Sequence, residues 1–181
     1  MKGIKKKTVL NAEEIREALD RIVDQMISDH PDVERLVLIG IRTGGAFLAN
    51  RIQERLRIKK ALSVPTGALD ITLYRDDWTR INHKPIVGKT EVPVSLDNKS
   101  VILVDDVLYT GRTVRAALDA LIDFGRPCRI SLAILVDRGG RELPICADYT
   151  GIRLETEINE RVNVYFRESG EKDQVVIEGG G

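Results

Sequence analysis

Three apolar runs constrain the fold of this 181-residue chain more than any other feature. They occupy 36–41, where only Gly40 interrupts the run, 101–104 and 130–136. Continuous apolar runs without alternation are typical of strands that are buried on both faces. Segments with helical spacing of apolar residues separate the runs, at about 46–57 and 114–122. This alternation predicts an α/β fold with right-handed crossovers and a mainly parallel twisted sheet flanked by helices.

The remaining elements are predicted from local signals. Asn11 with Glu14 three residues later has the pattern of a capping box, and it starts an amphipathic helix that ends before Pro31. Residues 69–74 predict a strand that leads into a long loop over about 75–92. Further predicted features are a hairpin from 161–168 and 174–178 with its turn at 170–173, a solvated basic end at 5–7 and disordered glycines at 179–181.

Composition excludes several classes of protein. The 28 basic and 28 acidic side chains cancel, so affinity for nucleic acid would have to come from a local patch. Cys128 and Cys146 have the spacing of neither a disulfide framework nor a zinc site. No apolar run approaches the roughly 20 residues that span a bilayer, and no signal peptide precedes the first helix. We expect a single cytoplasmic domain over 1–181, with His30 and His83 as surface residues.

The segment 101–113 contains the motif that most clearly indicates a binding site. Its apolar strand is followed by Asp105 and Asp106, and then by a turn that opens a helix. Backbone N–H groups at a helix start bind phosphate, whereas carboxylates repel phosphate and accept hydrogen bonds from hydroxyls. A ribose 5-phosphate satisfies both halves, although two Asp residues also serve in other proteins as simple helix caps. The predicted phosphate loop consists of Tyr109, Thr110, Gly111, Arg112 and Thr113.

A second loop follows the first apolar strand. It comprises Ile41, Arg42, Thr43, Gly44 and Gly45. Arg42 beside paired glycines has the cation and the amides that a pyrophosphate needs, although such a glycine pair also occurs in a plain tight turn between a strand and a helix. A P-loop at 88–90 is rejected, because His83 stands where its first glycine belongs. A dinucleotide-binding glycine motif is absent from the sequence as well.

The string 101–113 resembles the phosphoribosyl pyrophosphate signature of type I phosphoribosyltransferases. Further strings resemble the PyrR family, whose members are pyrimidine operon attenuators and uracil phosphoribosyltransferases. These strings lie at 69–77, 108–119, 125–127, 135–139 and 141–145, and the resemblance runs from about residue 10 to 151. It implies a type I phosphoribosyltransferase fold with a small hood at about 136–160 and a C-terminal hairpin.

The resemblance also implies a reaction and its residues. Ribose 5-phosphate would pass from phosphoribosyl pyrophosphate to uracil, giving UMP and pyrophosphate, with Mg²⁺ held through the substrate rather than at a dedicated protein site. Asp105 and Asp106 would be catalytic, 41–45 would be the pyrophosphate loop, and Arg75 with Asp76 would open a flexible catalytic loop. The base would be recognised by Val136, Asp137 and Arg138 in the hood.

Two other functions remain open at this stage. One is a nucleotide-sensing RNA-binding regulator with little turnover, which would bind uridine nucleotides in the same site. The other is a phosphoribosyltransferase for hypoxanthine or guanine. The resemblance implies a homodimer or a larger homo-oligomer in each case.

RNA binding is expected to be weakened. The resemblance implies uridine-nucleotide-dependent binding of pyr mRNA, with Arg21 and Arg141 as contacts. RNA-binding members usually carry His, Arg and Lys where this chain has Gly140, Cys146 and Ile152, and the acids Asp20 and Asp24 flank Arg21. Affinity for RNA depends on Lys and Arg contacts to phosphate, so each lost cation should reduce it.

Overall fold

The structure is a computed structural model that describes residues 4–76 and 88–180. Its helices are α1 (Ala12–Asp29), α2 (Gly44–Lys60) and α3 (Arg112–Ile122). Its strands are β1 (Ile4–Leu10), β2 (Leu36–Ile41), β3 (Thr66–Leu69), β4 (Ser100–Leu108), β5 (Arg129–Asp137), β6 (Tyr149–Arg153), β7 (Glu160–Tyr165) and β8 (Gln174–Gly180).

The main sheet has five strands in the order β3-β2-β4-β5-β6, and all of its pairs are parallel. Every residue of β2 is buried, which explains the uninterrupted apolar run that predicted this strand. The predicted α/β architecture is therefore confirmed. Within the described residues, no helix combines the length and the apolar character needed to cross a bilayer.

Apolar side chains of the sheet alternate between two cores. Leu38 and Ile102 point to the face that α1 and α2 cover, and Ile39 and Leu103 point to the face that α3 covers. This alternation follows from the period of two along a strand. Each core-facing Leu or Ile contributes about 1.5–3 kcal/mol through burial, so the two cores hold the strand ends, and the loops that follow them, in place.

The N-terminus of α1 has the predicted capping box. The Asn11 side chain accepts hydrogen bonds from the N–H groups of Glu13 and Glu14 at 2.8 and 3.1 Å, and Glu14 Oε2 accepts the Asn11 N–H at 2.8 Å. At the other end of this helix, the expectation of a surface His30 is wrong. His30 is 7% exposed, and its Nε2 lies 3.1 Å from the Tyr149 hydroxyl. His83 lies outside the described residues.

A second, antiparallel sheet in the order β1-β8-β7 contains the predicted hairpin. The expected mobility of the basic end and the expected disorder of Gly179 and Gly180 are wrong, because residues 4–10 form a strand that pairs with 175–180. Lys6 and Lys7 are exposed, as predicted for a solvated end, and Gly181 lies outside the described residues. Lys6 Nζ lies 2.7 Å from Glu178 Oε1 across this pair. The pairing joins opposite ends of the chain, so no local pattern indicates it.

Two further segments differ from the sequence prediction. The strand expected at 69–74 ends at Leu69, and Thr72–Tyr74 forms a 3₁₀ turn instead. Within the segment 136–160, expected to form the hood, Tyr149–Arg153 is an edge strand of the main sheet. The long loop expected over 75–92 is described only at 75–76 and 88–92.

Candidate active site

A cavity of about 680 Å³ opens at the carboxyl ends of β2, β3 and β4, where ligands bind in parallel sheets of this kind. Four parts of the chain line it. They are Arg42, Thr43, Gly44 and Phe47; Asp70, Ile71, Thr72 and Arg75; Asp105, Asp106, Val107 and Thr113; and Val164, Phe166 and Ser169.

Asp105 and Asp106 lie inside β4, which continues four residues beyond the apolar run 101–104 that predicted it and ends at Leu108. Asp105 is 6% exposed and accepts the Asp106 N–H at 3.0 Å, while Asp106 accepts the Val107 N–H at 2.9 Å. Burial raises the pKa of both carboxyl groups, and the charge of Asp106 raises the pKa of Asp105 further. Neither group caps α3, whose N-cap is Gly111, so the helix-cap alternative does not describe this pair.

The turn after β4 has the conformation that the phosphate-loop prediction requires. Gly111 has a φ of 91°, a left-handed conformation that glycine adopts without strain. α3 begins at the next residue, so its first N–H groups are those of the predicted loop. Thr113 lines the cavity, whereas the other four residues of this loop are not among its described lining residues.

Arg112 of this turn joins two other segments. Its Nη1 lies 2.6 Å from Asp76 Oδ2, and its Nε lies 2.6 Å from Glu142 Oε2. Asp76 is therefore held at the predicted phosphate loop, while the neighbouring Arg75 lines the cavity. Of the two residues predicted to open the catalytic loop, Arg75 alone is in contact with the cavity.

The predicted pyrophosphate loop adjoins the acidic pair. The Arg42–Thr43 peptide bond is cis, and α2 begins at Gly44, two residues before the predicted start. A side chain at Gly44 would collide with the Asp106 carboxylate, and one at Gly45 would collide with the Val104 carbonyl. These two glycines therefore permit the loop to approach β4 closely.

The three residues predicted to recognise the base lie at the end of β5. Although burial opposes it, the Arg141 guanidinium holds the pKa of Asp137 below its usual value, with Nη2 2.6 Å from Oδ1. Arg138 is buried, and its guanidinium stacks 3.9 Å from the Tyr109 ring centroid. Val136, Asp137 and Arg138 are not among the described lining residues of the cavity.

The two residues predicted to contact RNA have different surroundings. Arg141 is turned inward, and it donates hydrogen bonds to the carbonyls of Leu108, Tyr109, Gly139 and Ile145 over 2.8–3.3 Å. Arg21 is exposed and donates one hydrogen bond, to the Gly151 carbonyl at 3.3 Å.

Sequence reasoning missed eight of the described residues that line the cavity. Phe47, Val164, Phe166 and Ser169 form one wall, in which Phe47 and Phe166 pack edge to face with centroids 5.7 Å apart. Three of them come from the C-terminal hairpin, which carries no motif of its own. Asp70, Ile71 and Thr72 stand within the string 69–77 that gave the resemblance, and Val107 follows the acidic pair in β4.

The family profile described as "Phosphoribosyl transferase domain" matches residues 6–167. Curated relatives named "Bifunctional protein PyrR" match almost the whole chain. The protein from Syntrophobacter fumaroxidans is 53% identical over 95% of this chain and 92% of its own length. Those from Deinococcus deserti and Bacillus cereus are 54% and 50% identical, each over 95% of this chain and 94% and 97% of their own lengths.

Solved structures show the same fold at low sequence identity. A hypoxanthine phosphoribosyltransferase from Trypanosoma cruzi has a TM-score of 0.74 and 19% identity, covering 97% of each chain. One from Staphylococcus aureus has a TM-score of 0.70 and 20% identity, covering 93% of this chain and 90% of its own. Fold and sequence agree: the chain is a phosphoribosyltransferase and belongs to the PyrR family.

Proposed function

We propose that this protein transfers ribose 5-phosphate from phosphoribosyl pyrophosphate to uracil, giving UMP and pyrophosphate. The observation that carries the proposal is one cavity that contains a buried carboxylate pair, Arg42 and a helix-start threonine. A sugar diphosphate with a phosphate at its other end needs these three kinds of group together. Membership of the PyrR family supports uracil as the base.

Each end of the substrate has a proposed partner. The N–H groups of 110–113, with the positive end of the α3 dipole, bind the 5′-phosphate. Asp105 and Asp106 accept hydrogen bonds from the ribose hydroxyls, and the amides of 41–45 with Arg42 and Arg75 bind the pyrophosphate. The anionic groups of the substrate then lie against amides and cations, while its hydroxyls lie against carboxylates.

Mg²⁺ is proposed as the metal of this reaction. The described residues hold no group of three or more His, Cys, Asp or Glu with metal-site geometry. Mg²⁺ keeps several waters and is held largely through substrate phosphates, so the substrate would hold the ion beside Asp105 and Asp106, with no dedicated protein site. When bound, the metal neutralises the charge of the departing pyrophosphate.

The carboxylates also act on the sugar itself. As the bond to pyrophosphate breaks, positive charge develops on the ribose ring, and ionised carboxyl groups beside it lower the energy of that state. Burial of the pair makes each interaction stronger than it would be in water. Positioning and charge, rather than a strong base, supply the catalysis in this proposal.

The second activity of the family, RNA binding, is proposed to be weak. Asp20 Oδ1 lies 3.1 Å from Arg55 Nε, and Asp24 Oδ1 lies 2.5 Å from Lys59 Nζ, so acids of α1 neutralise cations of α2. Arg141 is engaged by backbone carbonyls. Fewer cations therefore remain for RNA phosphates on this face of the molecule.

The test is pyrophosphate release from phosphoribosyl pyrophosphate and Mg²⁺ with uracil, hypoxanthine or guanine. Uracil-dependent release that the Asp105→Asn/Asp106→Asn variant loses would support the proposal, and release with a purine alone would reassign the base. UMP binding without release on any base would instead identify a nucleotide-sensing regulator. A cytoplasmic homo-oligomer is also proposed, and sedimentation of the purified protein tests the assembly.

A further inference from the structure

Asp70 joins two distant points of the chain beside the cavity. It directly follows β3, and its Oδ1 accepts the Thr72 N–H at 2.7 Å while its Oδ2 accepts the Gly88 N–H at 2.5 Å. Its own N–H donates to Thr90 Oγ1 at 3.1 Å. A side chain at Gly88 would collide with the Asp70 carboxylate, so glycine at this position permits the contact.

The contact continues to the pyrophosphate loop. Lys89, next to Gly88, accepts a hydrogen bond from Arg42 Nε at 2.8 Å through its carbonyl. The Arg42 N–H donates to the Leu69 carbonyl at 3.0 Å, so the backbone of Arg42 is held by the residue before Asp70. Its side chain is held by the residue after Gly88, which Asp70 binds. With Nε directed to Lys89, the two terminal amino groups of Arg42 are the ones left to bind an anion in the cavity.

The electrostatic surroundings of Asp70 also favour its role as a hydrogen-bond acceptor. Although burial opposes it, the N–H groups of Thr72 and Gly88 and the charge of Arg42 hold the pKa of Asp70 below its usual value. Asp70 is therefore ionised at neutral pH, and its role is to accept hydrogen bonds rather than to transfer protons.

We propose that Asp70 is a positioning residue for the pyrophosphate end of the substrate. It holds Gly88 and Lys89 so that the Lys89 carbonyl orients the Arg42 guanidinium toward the leaving group. The inference rests on the proposed function and goes beyond it, because it predicts which ligands lose affinity. Phosphoribosyl pyrophosphate and pyrophosphate depend on Arg42, whereas UMP, which has no pyrophosphate, does not.

The experiment compares Asp70→Asn with the wild-type protein. The Asn amide would place N–H against the N–H of Gly88 or Thr72, so one accepted hydrogen bond is lost. We expect affinity for Mg²⁺–phosphoribosyl pyrophosphate and for pyrophosphate to fall about tenfold, and affinity for UMP to change less than about twofold. Asp97→Asn is the matched control, because Asp97 accepts the Arg126 N–H at 2.7 Å and lies outside the lining of this cavity.

Gly88→Ala disturbs the contact with Asp70 from the Gly88 side. It should likewise reduce affinity for phosphoribosyl pyrophosphate and pyrophosphate while leaving affinity for UMP nearly unchanged. Thermal unfolding of each variant identifies one that fails to fold. Equal losses for UMP and pyrophosphate, or no loss for either in both folded variants, would overturn the inference while leaving the proposed function intact. Wild-type protein that binds no phosphoribosyl pyrophosphate would overturn the proposed function and this inference with it.

Discussion

Asp105 is buried and Asp106 beside it is half-buried, and ionising two adjacent carboxyl groups in such surroundings is costly. Their pKa values are raised above the ordinary 3.8, so the folded protein holds protons on them more tightly than the unfolded chain does. At neutral pH, ionisation of the pair therefore lowers the free energy of unfolding. A site that must be anionic to bind hydroxyls and metal is kept at the expense of stability.

Replacing both carboxyl groups, in Asp105→Asn/Asp106→Asn, should move activity and stability in opposite directions. We expect kcat/KM to fall at least about a hundredfold, because charge stabilisation of the sugar is lost. We expect Tm to rise by about 2–4 °C for each kcal/mol of relieved repulsion. The Tm gain should be small near pH 4 and grow as the pH rises toward the folded pKa, which melting curves across this range measure.

Asp97→Asn is a control for which the change in Tm with pH should have the opposite sign. The backbone N–H of Arg126 holds the pKa of Asp97 below 3.8, so this carboxylate stabilises the fold above that pH. The Tm of the variant should therefore fall further below that of the wild-type protein as the pH rises. A parallel response of the two variants would contradict the assignment of repulsion to the buried pair.

At the scale of elements, Arg51 joins α2 to the C-terminal hairpin. Its Nη2 lies 2.6 Å from Glu168 Oε2 and 2.7 Å from Asp173 Oδ1, and its guanidinium carbon lies 5.2 Å from the Phe166 ring centroid. Arg51→Met should cost about 2 kcal/mol of unfolding free energy, because two part-buried carboxylates lose their cation. Arg57→Met removes an exposed pair with Glu54 and should leave the free energy of unfolding nearly unchanged, and urea titration of the two variants measures the difference.

His30 couples the end of α1 to β6. Burial lowers its pKa below 6.5, with Arg129 acting in the same direction and Asp29 and Asp148 opposing. The folded state prefers the neutral ring, so the stabilisation is present above pH 6.5 and is lost as the pH falls through the folded pKa. Wild-type Tm should therefore decrease more between about pH 7.5 and 5 than that of His30→Gln, and identical slopes would disprove the coupling.

At the scale of the whole molecule, the net charge is zero, and acidic and basic side chains also pair locally on the surface. Asp20→Asn/Asp24→Asn would release Arg55 and Lys59 from the pairs across α1 and α2. We expect tighter binding of a single-stranded RNA, with a slope of log K against log salt that is steeper by about one unit. Asp119→Asn, which releases Arg115 on the opposite face of the sheet, should leave the slope unchanged.

The sequence by itself determined the elements and motifs that depend on neighbouring residues. The spacing of apolar residues, the capping box and the turn at Gly111 each involve residues within a few positions of one another. For that reason β2, α1 and this turn were predicted close to their observed bounds. Even so, the predicted β4 ended at Val104, because an apolar run cannot show that Asp105, Val107 and Leu108 continue the pairing with β5.

Only the tertiary structure decided the contacts between distant residues. Examples are the pairing of β1 with β8, the His30–Tyr149 contact, the Asp70–Gly88–Arg42 connection and the hairpin wall of the cavity. Each depends on the register and crossover of every element between its partners, and the free energy that orders them comes from burial summed over the whole core. A local pattern contains neither the register of distant elements nor the burial of the whole core. The predicted substrate loops can therefore be recognised in the sequence, while the residues that position them cannot.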